Sequence, residues 1–286
     1  MKLLNSISFK LLIILFIVCF PALQKAQKIG NFQSAASFSH IEGGFFFVLD
    51  KGTSEVLKID YEGNILKRIG GTGWDDYTFD NPNDLSASML RIYITDRNNS
   101  RIQVYDYELN FLFSLDSKNL SAAKGAFRYP VSAASSPYGD LYIADSDNKQ
   151  IVKFNSKWEY VSSFGGNEYG RFAAAAPAKI AVDGKSNVFL LDGKRIIQFD
   201  QFGNGKEIIE TGENVINIRT FNNLLLIIYG ESFSIIDLSG STGKRIPFAQ
   251  YDSLEGKKVI DIIPAGDKTY FLTENSIVII PKTIFE

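Results

Sequence analysis

The stretch Phe164–Asp192, FGGNEYGRFAAAAPAKIAVDGKSNVFLLD, combines four features in a fixed order. A glycine pair is followed by a loop with aromatic residues, then by a proline, and then by two short apolar segments, of which the second ends in an aspartate. Short apolar segments bounded by Gly and Pro are typical of β-strands. Whether this order of features recurs along the chain decides the fold class.

The pattern recurs at a regular interval. The second apolar segment ends in Asp50, Asp96, Asp145 and Asp192, which are 46, 49 and 47 residues apart. Two weaker copies follow, with Tyr229 or Gly230 and then Thr273 at the place of the aspartate. Four short strands in a repeat of about 40–45 residues are the signature of a propeller blade. We therefore predict an all-β, six-bladed β-propeller of four-stranded antiparallel blades.

Three junctions between these units share the full series of a Gly-containing turn, an aromatic residue, a Pro, a strand-ending Asp and an Arg-Ile or Gln-Ile pair. The series is Gly70-Gly71, Phe79, Pro82, Asp96 and Arg101-Ile102; then Gly125, Phe127, Pro130, Asp145 and Gln150-Ile151; then Gly165-Gly166, Phe172, Pro177, Asp192 and Arg195-Ile196. These junctions resemble NHL repeats, and the resemblance covers roughly residues 30–286. It implies a six-bladed propeller, although the last two units lack the Pro and the Asp. We expect each strand-ending Asp to accept hydrogen bonds from backbone amides of turns.

The last unit has no room for a complete blade. After the apolar segment Ile277–Ile280 the chain has almost ended, so an outer strand is missing there. We predict that residues near Lys28–Phe32 pair with this last sheet, because closing the ring removes exposed strand edges.

The first 26 residues differ in composition from the rest. Lys2 and Lys10 precede an uncharged segment, residues 11–24, and small residues follow at Ala22 and Ala26. This pattern predicts a signal peptide over residues 1–26 and a propeller domain over 27–286. The apolar part is shorter than the ~20 residues of a membrane helix. The alternative is an uncleaved membrane anchor, and only in that case do we expect contact with a membrane.

Charge and cysteine content bear on location and partners. The chain has a net charge of −2, and without residues 1–26 it has 27 basic and 32 acidic side chains. An acidic, exported protein is a poor candidate for nucleic-acid binding. The single cysteine, Cys19, lies in the predicted signal peptide, so the remaining chain has no disulfide. We expect a periplasmic, cell-surface or extracellular bacterial protein that is a monomer.

Few residues suggest catalysis or a metal site. His40 is the only histidine, so a zinc site would have to rest on carboxylates, which are poor zinc ligands by themselves, and a histidine general base has no evident partner. The segment Trp74–Asp84, WDDYTFDNPND, is rich in Asp and Asn, which suits either Ca²⁺ or a solvated loop. In lactonase-like propeller enzymes a divalent ion lies in the central channel. The alternative function is therefore a Ca²⁺-dependent hydrolase or lyase, with Asp84, Asn217 and Asp261 as candidate ligands.

Aromatic residues in the inter-blade loops suggest a binding surface. The candidate residues are Trp74, Tyr77, Tyr129, Tyr169, Arg128 and Arg171. Tyr, Trp and Arg are the residues most often found at the centre of protein interfaces. We expect Phe79, Phe127 and Phe172 of the same loops to be packing residues of the repeat. The leading hypothesis is an exported, non-enzymatic binding or assembly module that needs no cofactor and holds a protein or glycan partner on this face.

Overall fold

The computed structural model describes residues 26–41, 43–88, 90–120, 125–240, 243–281 and 284. The predicted signal peptide lies, apart from its last residue, outside the described residues. Within the described residues the chain forms 24 β-strands in six separate four-stranded antiparallel sheets. The predicted fold class, an all-β six-bladed propeller, is confirmed.

Each sheet is one blade. In five of the six blades, the four strands of the sheet are consecutive in the chain. Blade 1 is β2 (Ala35–Ile41), β3 (Phe45–Asp50), β4 (Glu55–Asp60) and β5 (Ile65–Gly70). Blade 2 is β6 (Pro82–Ala87), β7 (Ile92–Asp96), β8 (Arg101–Tyr105) and β9 (Phe111–Asp116). Blade 3 is β10 (Pro130–Ser135), β11 (Leu141–Asp145), β12 (Gln150–Phe154) and β13 (Tyr160–Phe164).

The second half of the ring follows the same plan. Blade 4 is β14 (Pro177–Val182), β15 (Val188–Asp192), β16 (Arg195–Phe199) and β17 (Gly205–Glu210). Blade 5 is β18 (Asn217–Phe221), β19 (Leu224–Ile228), β20 (Ser232–Asp237) and β21 (Lys244–Pro247). Blade 6 is β22 (Val259–Ala265), β23 (Lys268–Thr273), β24 (Ile277–Ile280) and β1 (Gln27–Ile29). Short 3-10 helices lie at Ser117–Asn119, Asn167–Phe172, Phe248–Gln250 and Asp252–Leu254.

The ring closes by pairing the two ends of the described chain. Strand β1 adds to β24 with Gln27 opposite Ile279, Lys28 opposite Val278 and Ile29 opposite Ile277. The first strands of neighbouring blades contact one another, and β22 contacts β2 to complete the circle. The prediction that a segment near Lys28–Phe32 completes the last blade is therefore confirmed.

The hydrophobic core is divided among the interfaces between blades. Each of six clusters of buried residues lies between two neighbouring sheets. Between blades 6 and 1, for example, Phe38 and Phe46 pack with Leu272 and Ile279. Both sides of the second strands are therefore buried, which explains why β3, β7, β11 and β15 are almost entirely apolar up to their final Asp.

Alternating strand direction gives the disk two faces. The loops that lead from the fourth strand of one blade into the next lie on the same side as the turns between the second and third strands. We call this side the inter-blade face, and the side with the remaining turns the opposite face. In the part of the chain that the structure describes, no helix is long and apolar enough to cross a membrane.

Candidate binding face

The strand-ending aspartates fix the loops of the inter-blade face. Asp96 is completely buried and accepts hydrogen bonds from Asp80 N at 2.8 Å, Asn99 Nδ2 at 2.8 Å and Arg101 Nε at 2.7 Å. The equivalent carboxylates accept from Gln33 N and Ser34 N (Asp50), Arg128 N (Asp145) and Ala175 N (Asp192). These contacts confirm that the repeated Asp binds turn amides, and each one ties an inter-blade loop to the blade that follows it.

The loop before β6 is held by one arginine. Arg101 donates to the carbonyl oxygens of Trp74 at 2.8 Å, Asp75 at 3.0 Å and Thr78 at 3.0 Å. This arrangement fixes the backbone of the loop and leaves the Trp74 side chain outside it. Trp74 is 77% exposed.

Two of the predicted binding tyrosines take part in packing. The Tyr77 ring lies 5.8 Å from that of Tyr105, and its hydroxyl accepts a hydrogen bond from Phe111 N at 3.0 Å. Tyr169 packs in the same way on Phe199, with ring centroids 6.3 Å apart. The third strands of blades 2 and 4 end at Tyr105 and Phe199, so the two loops cover equivalent places. Among the described residues, no ring contact joins any two of the four predicted binding aromatics.

The phenylalanines of these loops behave as predicted. Phe79 and Phe127 are completely buried, and Phe172, which is partly buried, packs on Phe199 at 6.4 Å. The predicted binding residue Arg171 lies over the Phe172 ring, with Cζ 4.6 Å from the ring centroid. Arg171 is exposed, so its positive charge remains open to solvent on this loop.

Tyr129 lies at the centre of a group of cations. The guanidinium carbons of Arg97 and Arg128 lie 5.2 and 5.5 Å from the centroid of the Tyr129 ring. The tyrosine has a left-handed backbone with φ of 49°, and its carbonyl oxygen accepts a 2.7 Å hydrogen bond from Ser146 Oγ. Cation–π attraction orients both arginines around a backbone that is itself fixed.

A third cation belongs to the same region. Lys51 Nζ donates to Asn83 Oδ1 at 2.9 Å, and Asn83 Nδ2 donates to the Val131 carbonyl at 2.6 Å. Burial, and secondly the positive charge of Arg97, hold the pKa of the Lys51 ammonium below its ordinary value. We call Lys51, Arg97, Arg128 and Tyr129 the basic cluster. It combines residues of the first three blades.

Lys51 and Arg97 were not among the residues predicted from the sequence. A signal for them exists, because each directly follows a strand-ending aspartate, in the pairs Asp50-Lys51 and Asp96-Arg97. The residue after that Asp begins the turn between the second and third strands, and therefore lies on the inter-blade face. In the next two blades the same position holds Ser146 and Gly193, so the positive charge is confined to blades 1 and 2.

The central channel is crossed by two ion pairs. Lys179 Nζ contacts Asp84, and Arg219 contacts Asp261, with a second bond of 3.0 Å from Arg219 Nε. Burial acts to lower the pKa of Arg219, but the charge and hydrogen bond of Asp261 and the charge of Asp84 together raise it. On the side of the opposite face the channel opens into a cavity of about 220 Å³ that is lined partly by Ser39, Ser86, Ser135 and Thr220.

The candidate calcium ligands are thus engaged with other groups. Asp84 also accepts a 2.9 Å hydrogen bond from Ser37 Oγ, and Asn217 donates to the Ile260 carbonyl at 3.3 Å. An ion at Asp84 or Asp261 would have to compete with a cationic side chain for each carboxylate. Over the described ranges, no group of three or more His, Cys, Asp or Glu side chains is placed to hold a metal ion.

The single histidine lies in the packed interface between blades 6 and 1. His40 Nε2 is 2.6 Å from the Tyr61 hydroxyl, and its ring stacks on Tyr270 with centroids 5.3 Å apart. These contacts give His40 a structural role.

Comparisons with known proteins agree with this architecture. A sequence model of the NHL repeat matches residues 79–105. A search of curated protein sequences finds no match. The fold is similar to that of a streptogramin B lyase, with a TM-score of 0.66 and 11% identity over 89% of this chain and 96% of the other.

Two further solved structures share the fold. One is a catalytically inactive virginiamycin B lyase from Staphylococcus aureus with quinupristin, with a TM-score of 0.64 and 13% identity over 89% of this chain and 98% of the other. The other is a nidogen/laminin complex, with a TM-score of 0.59 and 13% identity over 76% of this chain and 82% of that one. At such low identity these likenesses show the fold alone. The chain is therefore a six-bladed β-propeller in which residues 79–105 match the NHL repeat.

Proposed function

We propose that the chain is an exported, non-enzymatic binding module that holds a protein partner on its inter-blade face. The observation that carries the proposal is the basic cluster, in which two arginines lie over the ring of Tyr129. Such a group presents fixed donors and positive charge at a surface, as the centres of protein interfaces do. The N-terminal sequence pattern supports export.

Trp74 adds an apolar contact to the same face. Its side chain is the most exposed aromatic one among the described residues, and the Arg101 contacts hold its loop in place. A rigid loop loses little conformational entropy on binding, which favours affinity.

The arrangement of the channel supports binding over catalysis. The carboxylates of Asp84 and Asp261, which a hydrolase or lyase would use, form ion pairs that link different blades. These ion pairs connect different blades inside the ring and therefore have a structural role. The nidogen/laminin complex is a precedent for a similar fold in a protein assembly.

The proposal is tested by crosslinked capture in an envelope extract of the source cell. Residues 27–286 contain every strand of the six sheets, so this fragment retains the closed ring. The variant is Trp74→Ala/Tyr129→Asn, since Asn tolerates the left-handed backbone at position 129. We expect the wild type to retain a defined protein that the variant loses.

A matched control lies on the opposite face. Leu90 and Tyr138 are 77% and 74% exposed, so Leu90→Ala/Tyr138→Ala removes a comparable apolar surface. We expect this control to capture the same protein as the wild type. If the wild type captures nothing, or if both variants lose the same material, the inter-blade face is not the binding face and the proposal is wrong.

A further inference from the structure

The basic cluster has more positive charge than its surroundings neutralise. Arg97 is only partly exposed, yet its guanidinium makes no hydrogen bond or ion pair with any described residue. A guanidinium carries five N–H donors in a planar fork, and those of Arg97 remain available to an incoming acceptor. The Tyr129 ring fixes the position of this group without satisfying its donors.

Lys51, like Arg97, has no anionic partner among the described residues. Its ammonium donates to the neutral Asn83, and over the described ranges it forms no ion pair with a carboxylate. Burial, and secondly the positive charge of Arg97, hold its pKa down, and Asn83 links it to the Val131 carbonyl, two residues after Tyr129. Two like charges held together without an anion are stabilised when an anion binds between or beside them.

Arg128 has an acid neighbour, but a weak one. Its Nη1 lies 3.5 Å from Asp147 Oδ2, and the two side chains are 65% and 39% exposed. Exposed pairs of this kind contribute little free energy. An incoming carboxylate can therefore take the place of Asp147. Asp80, a further acid of these loops, accepts a 3.0 Å hydrogen bond from Asn98 Nδ2.

We propose that the basic cluster binds carboxylates of an acidic segment in the protein partner. This inference rests on the proposed binding function and gives the chemistry of its partner. The planar forks of Arg97 and Arg128 match carboxylate geometry. The ring of Tyr129 is covered by two guanidinium groups, so it is not open as a platform for stacking a sugar.

The charge of the whole chain favours an acidic peptide over nucleic acid. The net charge is −2, and residues 1–26 contribute three of the 30 basic side chains and no acidic ones. The positive charge is therefore local, whereas proteins that bind nucleic acid present extended basic surfaces. A short run of Asp or Glu side chains fits a cluster of three cations.

The inference is tested by measuring the binding of a fluorescent, Glu-rich peptide to residues 27–286. Fluorescence anisotropy of the peptide reports the binding. The matched peptide has Gln in place of every Glu. We expect the Glu peptide to bind at low salt, the Gln peptide not to bind, and binding to weaken at ~0.5 M salt because of screening. Arg97→Gln should weaken binding about tenfold, which is the loss expected for one charge-assisted contact.

Two further variants make the result specific. Lys51→Gln should also weaken binding of the Glu peptide. This variant replaces Arg97→Gln as the test if Arg97→Gln fails to fold. The matched control is Arg91→Gln, because Arg91 is likewise partly exposed and lies 5.1 Å over an aromatic ring, that of Trp158, but on the opposite face. We expect the control to bind the Glu peptide as the wild type does.

Three outcomes would overturn the inference. They are unchanged binding in Arg97→Gln and Lys51→Gln, equal loss in Arg91→Gln, and tighter binding of a single-stranded oligonucleotide of the same charge. If the Glu peptide does not bind while Trp74→Ala/Tyr129→Asn still loses a captured protein, the carboxylate chemistry is wrong and the proposed function stands. If nothing is captured, the proposed function itself is wrong.

Discussion

At the scale of single residues, the repeated aspartate has the largest structural effect. Asp96 is completely buried and joins an inter-blade loop, the next turn and Arg101 in one network. Burial raises the pKa of this carboxyl, although hydrogen bonds from Asn99 and Asp80 and the charge of Arg101 act in the opposite direction. The charged form is therefore costly to bury and depends on its partners.

Removing one partner of this buried network should be strongly destabilising. We expect Asp96→Ala to lower the free energy of unfolding by about 3 kcal/mol, because Arg101 is left buried without its counter-ion. Urea denaturation measures the change. Asp267→Ala, in an exposed turn, is the control and should cost less than about 0.5 kcal/mol. Equal effects of the two substitutions would contradict the role assigned to Asp96.

At the scale of elements, the turns of the opposite face share one design. In the turn after β4, Asn64 donates twice to Asp60, from its backbone N to Oδ1 at 2.7 Å and from its Nδ2 to Oδ2 at 2.8 Å. The same Asp-to-Asn pairing recurs in the turns after β8, β14 and β16. The residue before the Asn is left-handed in all four, and two of the turns have glycine there, Gly63 and Gly203.

Ser186 occupies that left-handed position without the freedom of glycine. Its φ is 64°, and its buried hydroxyl has no hydrogen-bond partner in the described structure. We expect Ser186→Gly to raise the free energy of unfolding by about 1 kcal/mol, since a left-handed residue with a Cβ is strained. Thermal or urea denaturation measures the gain.

The reciprocal substitution is the control. Gly203 has φ of 88°, and a Cβ added there would lie 2.6 Å from Phe164 Cγ. Gly203→Ser should therefore lower stability in the equivalent turn. If Ser186→Gly is also destabilising, the lost side-chain packing matters more than the backbone strain.

At the scale of the whole molecule, one short strand closes the ring. β1 supplies the fourth strand of blade 6, and Ile29 is buried in the cluster between blades 6 and 1. Without β1, the backbone of β24 would be an exposed sheet edge, which invites association with other chains.

Removing β1 should therefore destabilise the protein and promote aggregation. A chain that starts at Asn31 should lose at least about 2 kcal/mol relative to one that starts at Gln27, because the burial of Ile29 alone contributes that much. Urea denaturation and light scattering measure the two effects. Lys28→Ala changes an exposed residue of the same strand and should have little effect. Unchanged stability after the deletion would mean that closure depends on the inner strands only.

The architecture was largely predictable from the sequence because its signals are local and repeated. The strand-ending Asp50, Asp96, Asp145 and Asp192 define the period. Pro82, Pro130 and Pro177 begin the first strands of blades 2, 3 and 4, as proline with its fixed φ can at the start of a strand. The pairing of β1 with β24 follows the same rule of four strands in each blade.

Tertiary structure decided how side chains from different blades meet. Lys179 and Asp84 are 95 positions apart in the chain, and Lys51, Arg97 and Tyr129 belong to three turns or loops. No local pattern encodes such contacts, because they depend on the angle between blades and on the radius of the ring. The sequence by itself determined the six blades and the closed ring. Strand and turn preferences act over a few residues, so each repeat carries the signals for its own blade. The grouping of cations around Tyr129, and the packing of Tyr77 and Tyr169, depended on long-range geometry.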